Sequence, residues 1–304
     1  MKDRTKGNIA LLLTAIVWGT GFIAQKLGNQ VLPPMVFNSF RQLLAAIVLL
    51  PLMMVSLKKT HYLDRAHNTQ AQLDFKKKKL SKACVFCGFF LMLGTTTQQI
   101  GLLTVSAGKS GFISGLYIVF TPLISVFVGR RVNRKTCLCV AVAIVGFAVL
   151  SLRGGLGNTS PGDWWTLASA VFFAAQIVSV NEFVDRDNDL IISVLQMAFA
   201  GVVGTTIAFI IECPEMSAMM QGLPIIIYAV LFPTATGYTL QIVGQKYTSS
   251  TTAALLMSLE SVFAAIFGAI FLKEFMSARE LLGCAIIFAA VIVEQIDFKK
   301  DKLS

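Results

Sequence analysis

The chain has 304 residues, 55% hydrophobic and 14% charged, with a mean hydropathy of +0.72. A water-soluble domain carries about a quarter charged residues, so most of this surface does not face water. The formal charge of +10 would suit a nucleic-acid partner, but the basic residues stand in short segments between apolar runs, which argues against one.

The apolar residues come in runs of about 20, the length that crosses a hydrocarbon layer of ~30 Å. In chain order the predicted spans are 9–27, 34–57, 83–103, 107–128 and 136–152, then 163–182, 190–211, 223–245, 249–272 and 277–295. The first follows Lys2, Arg4 and Lys6, the flank of a secretory signal. Its apolar stretch is too long for one and no small-x-small cleavage pattern follows, so a retained helix is expected. The longest hydrophilic stretch, 58–82, joins the second and third spans, and a Gly/Ser/Pro-rich linker at 153–162 divides ten spans into five and five. Prolines 51, 122 and 233 fall inside spans and are expected to kink them.

With the amino terminus inside, segments 1–8, 58–82, 129–135, 183–189, 246–248 and the tail after Gln295 face the cytoplasm and hold 20 of the 26 Lys and Arg. Lys26, Lys109, Arg153, Lys273 and Arg279 fall outside, and Arg41 lies within a span. That asymmetry predicts a multi-pass protein of a bacterial inner membrane with both termini cytoplasmic.

The segment from Thr104, TVSAGKSGFISGLYIVFTPLISVFVGRR, parallels that from Thr248, TSSTTAALLMSLESVFAAIFGAIFLKE, at an offset of about 144. Nearer the amino ends, TAIVWGTGF lies beside SAVFFAAQI. Because five is odd, a second five-helix unit enters the membrane from the opposite side. The expected fold is therefore all-α: ten transmembrane helices as two inverted-topology repeats, residues 1–152 and 163–304, around a central cavity. Two tandem bundles without a shared cavity are the alternative.

Several short motifs lie on this frame: WGTGF at Trp18–Phe22, Arg41 in the second span, a small/hydroxyl cluster before the fourth and ninth spans, and LES and LKE at Leu259–Ser261 and Leu272–Glu274. In their order and spacing the chain resembles the drug/metabolite transporter superfamily, specifically the ten-helix EamA-type permeases, over essentially its whole length. It departs at Arg130–Arg131, where such proteins often carry an acidic residue, and at Ser261, where a proline often follows the glutamate. The resemblance implies a basket of helices with spans one to four and six to nine around the cavity and five and ten at the periphery. It also implies export or uptake of a small metabolite, with amino acids, sugars and amphiphilic drugs among the family's substrates.

Polar groups inside a bilayer are expensive, so their positions carry information. Ser110, Ser114, Tyr117 and Thr121 fall on one face of the fourth span, and Thr234, Tyr238, Gln241 and Gln245 repeat that spacing in the eighth. Such stripes either line a site for a polar solute or tie helices together at ~1 kcal/mol per contact. Trp18, Phe22 and Gln25 share a face of the first span, where the aromatics suit stacking on a substrate. Thr95, Gln98 and Gln99 in the third span, Gln176 in the sixth and Gln196 in the seventh complete the cavity candidates. Arg41 and Glu260 stand apart as ionisable groups within spans, either halves of a structural ion pair or, for Glu260, a proton-coupling group.

Other chemistry finds little support. GKS at Gly108–Ser110 lacks the glycine five residues earlier that a phosphate loop needs, Leu103 standing there. His61 and His67 both fall in the 58–82 loop, so no His-based metal or triad chemistry is expected in the membrane. Cys84 and Cys87, like Cys137 and Cys139, read as buried small hydrophobes rather than thiolate ligands. Asn158 opens a formal glycosylation sequon, incidental in a bacterial chain. The expectation is thus a secondary carrier for an amino acid or similar amphiphile, working by alternating access, with no catalytic residue, metal or cofactor. Its partners are the lipid bilayer and a small-molecule substrate, with proton coupling open and monomer and homodimer equally open. A lipid-head flippase, a non-transporting scaffold and an intramembrane enzyme are the alternatives, the last needing clustered His, Asp or Ser/Lys groups that this chain lacks.

Overall fold

The computed structural model describes residues 2–129, 134–151, 160–185 and 187–295. The Arg130–Arg131 turn, Arg153 with most of the 153–162 linker and its Asn158 sequon, and the tail after Gln295 lie outside the described residues. Among the described residues there is no strand. Eight stretches are long and apolar enough to cross a membrane: Thr5–Gly28, Pro34–Thr60, Gln70–Gly101, Ala107–Val128, Pro161–Phe183, Asp189–Ile211, Leu223–Gln245 and Thr252–Leu272.

The helices behind them are α1 (Lys2–Gly28), α2 (Pro34–Thr60), α3 (Gln70–Gly101), α4 (Ala107–Ser114), α5 (Tyr117–Ile124), α6 (Arg134–Ser151), α7 (Pro161–Phe183) and α8 (Asp189–Ile211). After a short α9 (Met216–Gln221) come α10 (Leu223–Ala229), α11 (Gly237–Gln245), α12 (Ser250–Ser258), α13 (Glu260–Phe267) and α14 (Ala278–Gln295). The fifth and tenth expected spans correspond to α6 and α14, 18 residues each, which pack on one another. Glycine permits that approach: a Cβ on Gly283 would stand 2.7 Å from the Leu150 backbone nitrogen, and one on Gly146 2.8 Å from Ile287 Cγ1.

Three of the apolar stretches are segmented. Regular α-helix breaks between α4 and α5, runs through a π-helical stretch at Val230–Thr236 between α10 and α11, and breaks at Leu259 between α12 and α13. Of the three prolines, only Pro233 lies in one of these irregular stretches; Pro51 and Pro122 sit inside α2 and α5. The break at Leu259 needs no proline, so Ser261 in place of the family's usual residue does not straighten this span. The hydroxyl clusters before the fourth and ninth spans serve as N-caps. Ser106 accepts from Lys109 N and Ser249 from Thr252 N, satisfying orphan donors of the first turn.

Helix α3 begins at Gln70, well before the expected start at 83. A capping box starts it, Thr69 accepting from Gln72 N while the Gln72 side chain accepts from Thr69 N. Leu73 and Leu80 are buried while Lys77 and Lys78 between them are exposed and Lys76 and Lys79 partly so. Hydropathy marks only where the helix enters the membrane, and its charged first turns escape that signal.

The helix ends gather into two opposite clusters. In one, Lys26 Nζ donates to Leu102 O (2.9 Å) and Val105 O (2.6 Å) and faces Glu274 at 3.8 Å, while Lys109 pairs with Asp163 at 2.8 Å. Glu212 accepts there from Met35 N and Val36 N at the start of α2. In the other, Tyr62 and Lys79 each donate to Asp185 at 3.1 Å, and Lys246 pairs with Asp189 at 2.6 Å. The flanks are apolar, with Ile144, Ile210 and Phe271 among the exposed large side chains. None of the six cysteines is in a disulfide; Cys87, Cys139 and Cys284 are buried, but Cys137 and Cys213 are exposed and Cys84 only partly covered, so the buried-hydrophobe reading fails for Cys84 and Cys137.

Candidate substrate cavity

A small cavity lies where α1, α2, α3, α5, α7, α11 and α13 converge, lined by Trp18, Gly21, Phe22, Gln25, Arg41, Gln98, Tyr117, Phe173, Gln176, Ile177, Pro233, Tyr238, Gln241 and Glu260. The volume that water centres can occupy within it is about 30 Å³. A single water needs ~10–15 Å³ on that measure, so the space between the walls is far smaller than a metabolite.

Ten of the residues expected from the sequence meet here: Trp18, Phe22, Gln25, Gln98, Tyr117, Gln176, Tyr238, Gln241, Arg41 and Glu260. The Trp18 indole stands 5.0 Å from the Tyr238 ring, tilted by 58°, and its Nε1 donates to Pro233 O at 3.0 Å. Gly237 makes this possible, since a Cβ there would meet Nε1 at 2.5 Å. Trp18 is therefore both wall and wedge: it lines the cavity and fastens α1 to the irregular stretch before α11.

Three glutamines form a relay. Gln241 Nε2 donates to Gln176 Oε1 and Gln176 Nε2 to Gln196 Oε1, both at 2.9 Å. The outer atoms, Gln241 Oε1 and Gln196 Nε2, have no partner, and neither has Gln25 Oε1. In either orientation of the amides, hydrogen-bonding capacity beside the cavity is left unmet.

Arg41 is 3% exposed and donates through Nη1 to Thr234 Oγ1 (2.8 Å) and through Nη2 to Asn38 Oδ1 (3.0 Å), leaving Nε unpartnered. Glu260, 4% exposed, lies beside the Tyr117 hydroxyl, which makes no close hydrogen bond. No ion pair joins Arg41 to Glu260; they share the cavity without touching.

Thr95, Gln99, Ser114, Thr121 and Gln196 stand behind the wall. Thr95 accepts from Asn38, which orients Arg41; Gln99 donates to Gln25 O and Asn29; Ser114 accepts from Gln98; Thr121 donates to its own helix at Tyr117 O; Gln196 ends the amide relay. The stripes split for a geometric reason. Positions i to i+11 span about 16 Å of helix, whereas the lining on α1 runs only from Trp18 to Gln25, about 10 Å, so only the central Tyr117, Tyr238 and Gln241 reach it. Sequence reasoning missed Gly21, Phe173, Ile177 and Pro233 as lining residues, because an apolar side chain facing a cavity reads like one facing lipid. Asn38 was also missed, although its position one helical turn before Arg41 was a usable signal.

The model of the EamA-like transporter family matches residues 5–152 and 160–293. The chain belongs to this family. It is a multi-pass membrane protein, and the bilayer and a small-molecule substrate are the partners that membership entails. An uncharacterized transporter of Archaeoglobus fulgidus is 28% identical over 291 residues, covering 95% of this chain and 86% of that one. A WAT1-related chloroplastic protein of Arabidopsis thaliana is 24% identical over 286 residues, covering 90% and 66%. A solved crystal structure with 15% identity superposes at a TM-score of 0.64 over 96% of both chains, a likeness of fold. Within this EamA-family transporter the cavity draws its lining from both matched segments.

Beyond the apolar stretches, two groups in the turn after α2 are perturbed. Burial, then the Asp185 carboxylate, pushes the Tyr62 hydroxyl up to about 12. In the adjoining turn the Ala66 N–H, then His61 and His67, hold the Asp64 carboxyl down at about 2.

Proposed function

We propose that this protein is a secondary transporter of a small zwitterionic or amphiphilic metabolite, of which an amino acid is the simplest example, working by alternating access. The observation that carries this reading is the cavity itself. Aromatic rings and amides with unmet hydrogen-bonding capacity surround it, with a guanidinium on one wall and a carboxyl on another. Such walls bind a solute carrying both an acid and an amine while paying less of the cost of burying either charge alone.

On this reading α6 and α14 also cross the bilayer, giving ten spans in two inverted repeats, 1–152 and 163–304 with linker 153–162. The packing supports it. Helix α2 packs on α8, α4 on α13 and α6 on α14; α1 meets α10 and α11 as α7 meets α3, and α1 meets α12 and α13 as α7 meets α4 and α5. These pairings are unchanged when each span is exchanged with the one five later, which tandem bundles would not produce. With the basic segments cytoplasmic, the Lys26, Lys109, Asp163 and Glu274 cluster closes the outside, and the Tyr62, Lys79, Asp185, Lys246 and Asp189 cluster closes the inside. Glu260 is proposed to exchange a proton during the cycle.

The test is counterflow uptake of labelled amino acids into proteoliposomes, paired with thermal-shift screening in detergent. Substrate-specific exchange that Gln241→Ala and Trp18→Ala abolish supports the carrier. Well-folded protein with neither uptake nor stabilisation across amino acids, sugars and amphiphilic cations refutes it in favour of a scaffold.

A further inference from the structure

The turn between α2 and α3 carries chemistry that the transport cycle does not use. Helix α2 ends with His61 in the left-handed conformation at φ 51°. That bend folds the next residues back, so that His61, Asp64 and His67, one every third residue, converge. His61 Nδ1 and His67 Nδ1 each lie 3.0 Å from the same Asp64 oxygen, Oδ2. The imidazoles stack at 4.0 Å between centroids, inclined by 29°. The nitrogen and carboxylate atoms all lie within 4.8 Å of one another, and the three side chains are about 40 to 55% exposed, open to an ion from solution.

The turn is braced independently of the two imidazoles. Asp64 Oδ1 accepts from Ala66 N at 2.8 Å, and Asn68 Nδ2 donates to His61 O (3.1 Å) and Asp64 O (2.8 Å). Lys76 on α3 in turn donates to Asn68 Oδ1 at 2.7 Å. The backbone carrying the three side chains is thus held before any ion arrives, which lowers the ordering cost of binding.

We propose that His61, Asp64 and His67 form a binding site for a divalent first-row transition-metal ion, with two imidazole nitrogens and one carboxylate as ligands and water completing the shell. Neighbouring donor atoms around such an ion, with bonds of ~2.0–2.2 Å, stand roughly 3 to 3.5 Å apart. The two His–Asp separations of 3.0 Å already match, and the imidazoles, whose ligand atoms lie within 4.8 Å of one another, would present Nδ1 lone pairs in place of N–H groups. Imidazole with carboxylate and no thiolate suits zinc, cobalt, nickel or copper and is a poor set for calcium or magnesium.

The site adjoins the cluster at the proposed cytoplasmic mouth. Tyr62, next to His61, donates to Asp185 beyond the end of α7, and the Lys76 ammonium lies 4.6 Å over its ring. An ion that fastens the 61–67 turn therefore also fastens the Tyr62 latch between the α2–α3 and α7–α8 connections.

The experiment uses full-length protein in detergent with any affinity tag removed, titrated with zinc chloride by calorimetry and with cobalt by visible absorption. Hydrogen exchange of residues 61–69 is followed with and without zinc. The expected result is one zinc per chain, at least tenfold weaker binding in His61→Gln and in His67→Gln, and zinc-dependent slowing of exchange in 61–69 that both variants lose. Both histidines are exposed, so the variants keep the wild-type melting temperature in chelator, and Asp64→Asn serves as the third ligand test. Absence of zinc binding in the wild type overturns the proposal. Undiminished binding in the His61→Gln/His67→Gln double variant also overturns it, and assigns the ion to other groups such as the exposed Cys137 and Cys213.

Discussion

Glu260→Gln separates two roles that a carboxyl inside a span can have. The substitution keeps the shape of the side chain and its hydrogen-bonding capacity but removes the exchangeable acidic proton. Were Glu260 half of a buried ion pair with Arg41, deleting its charge would cost ~3–5 kcal/mol, because an unmatched guanidinium would remain. The structure gives Arg41 other partners, Thr234 at 2.8 Å and Asn38 at 3.0 Å, and sets Glu260 beside Tyr117. Glu260→Gln is then expected to cost under about 1 kcal/mol. At roughly 2 °C per kcal/mol for a chain of this size, that is a fall of no more than about 2 °C, against 6–10 °C for a broken pair. Arg41→Gln alone loses two charge-assisted hydrogen bonds and is expected to fall by about 4 °C or more. The double variant should be additive within ~0.5 kcal/mol. Thermal melts of the four proteins in one detergent give the cycle; transport assays on the same samples give the coupling. Glu260→Gln is expected to retain substrate exchange and lose accumulation driven by a pH gradient. A melting loss of 6 °C or more that Arg41→Gln reverses would refute the geometry, and normal gradient-driven accumulation would refute proton coupling at this residue.

Gln176→Ala strands the amides of Gln241 and Gln196 and is expected to cost ~1–2 kcal/mol per orphaned contact, seen as a lower melting temperature together with weaker substrate stabilisation. Tyr238→Cys and Gln241→Cys should react with small aqueous thiol reagents and be protected by substrate, whereas Ile144→Cys on the exposed apolar flank should stay inert; equal inertness makes the stripes interhelical glue. Gly201→Ala drives its Cβ against the backbone of Leu43, 2.5 Å from Cα, and should cost about 3 kcal/mol or abolish expression. Gly222→Ala meets the Leu32 side chain, Cδ1 at 2.9 Å and Cγ at 3.3 Å, with no backbone atom nearer than 3.4 Å, and should cost less, so equal losses would contradict this packing of α2 on α8. Tyr62→Phe loses the bond to Asp185. Since the folded hydroxyl is raised from 10.0 to about 12, its contribution is complete below about pH 10 and fades as pH rises through 12. The melting difference between Tyr62→Phe and wild type should follow that course.

The helices were legible because lipid imposes a strong signal: each apolar run near 20 residues became helix, and the serines before the fourth and ninth spans became caps. The charged start of α3 was not, since a helix outside the bilayer needs only a capping box and a few buried leucines. Proline alone did not mark where the regular helix is interrupted: Pro51 and Pro122 lie within α2 and α5, while the span at Leu259 breaks without one. In the cavity, periodicity found the polar faces but not their depth. Tyr117 and Thr121 share a face, yet the former reaches the cavity and the latter bonds to its own backbone. The same limit hid Phe173 and Ile177. Pairing was least legible of all: Arg41 and Glu260 looked like natural partners, but Asn38, on the same helix, and Thr234, on the facing one, already meet the guanidinium.

That local satisfaction of Arg41 bears on how a carrier of this kind would recognise a substrate acid. A guanidinium locked to a carboxylate would have to break an ion pair before binding one from solution. Arg41 instead spends two donors on neutral oxygens and keeps Nε unpartnered toward a cavity with about 30 Å³ for water centres. Two of the cavity's walls, α1 and the stretch leading into α11, are fastened to each other by the Trp18 bond to Pro233 O and the close contact of Trp18 with Gly237. The irregular Val230–Thr236 stretch carries both Pro233 and Thr234. One shift of that stretch would release the Trp18 wedge and one Arg41 donor together. In the transport cycle proposed above, opening the cavity and exposing its cation to substrate would then be a single motion, centred on a π-helical turn of the kind often found at functional sites.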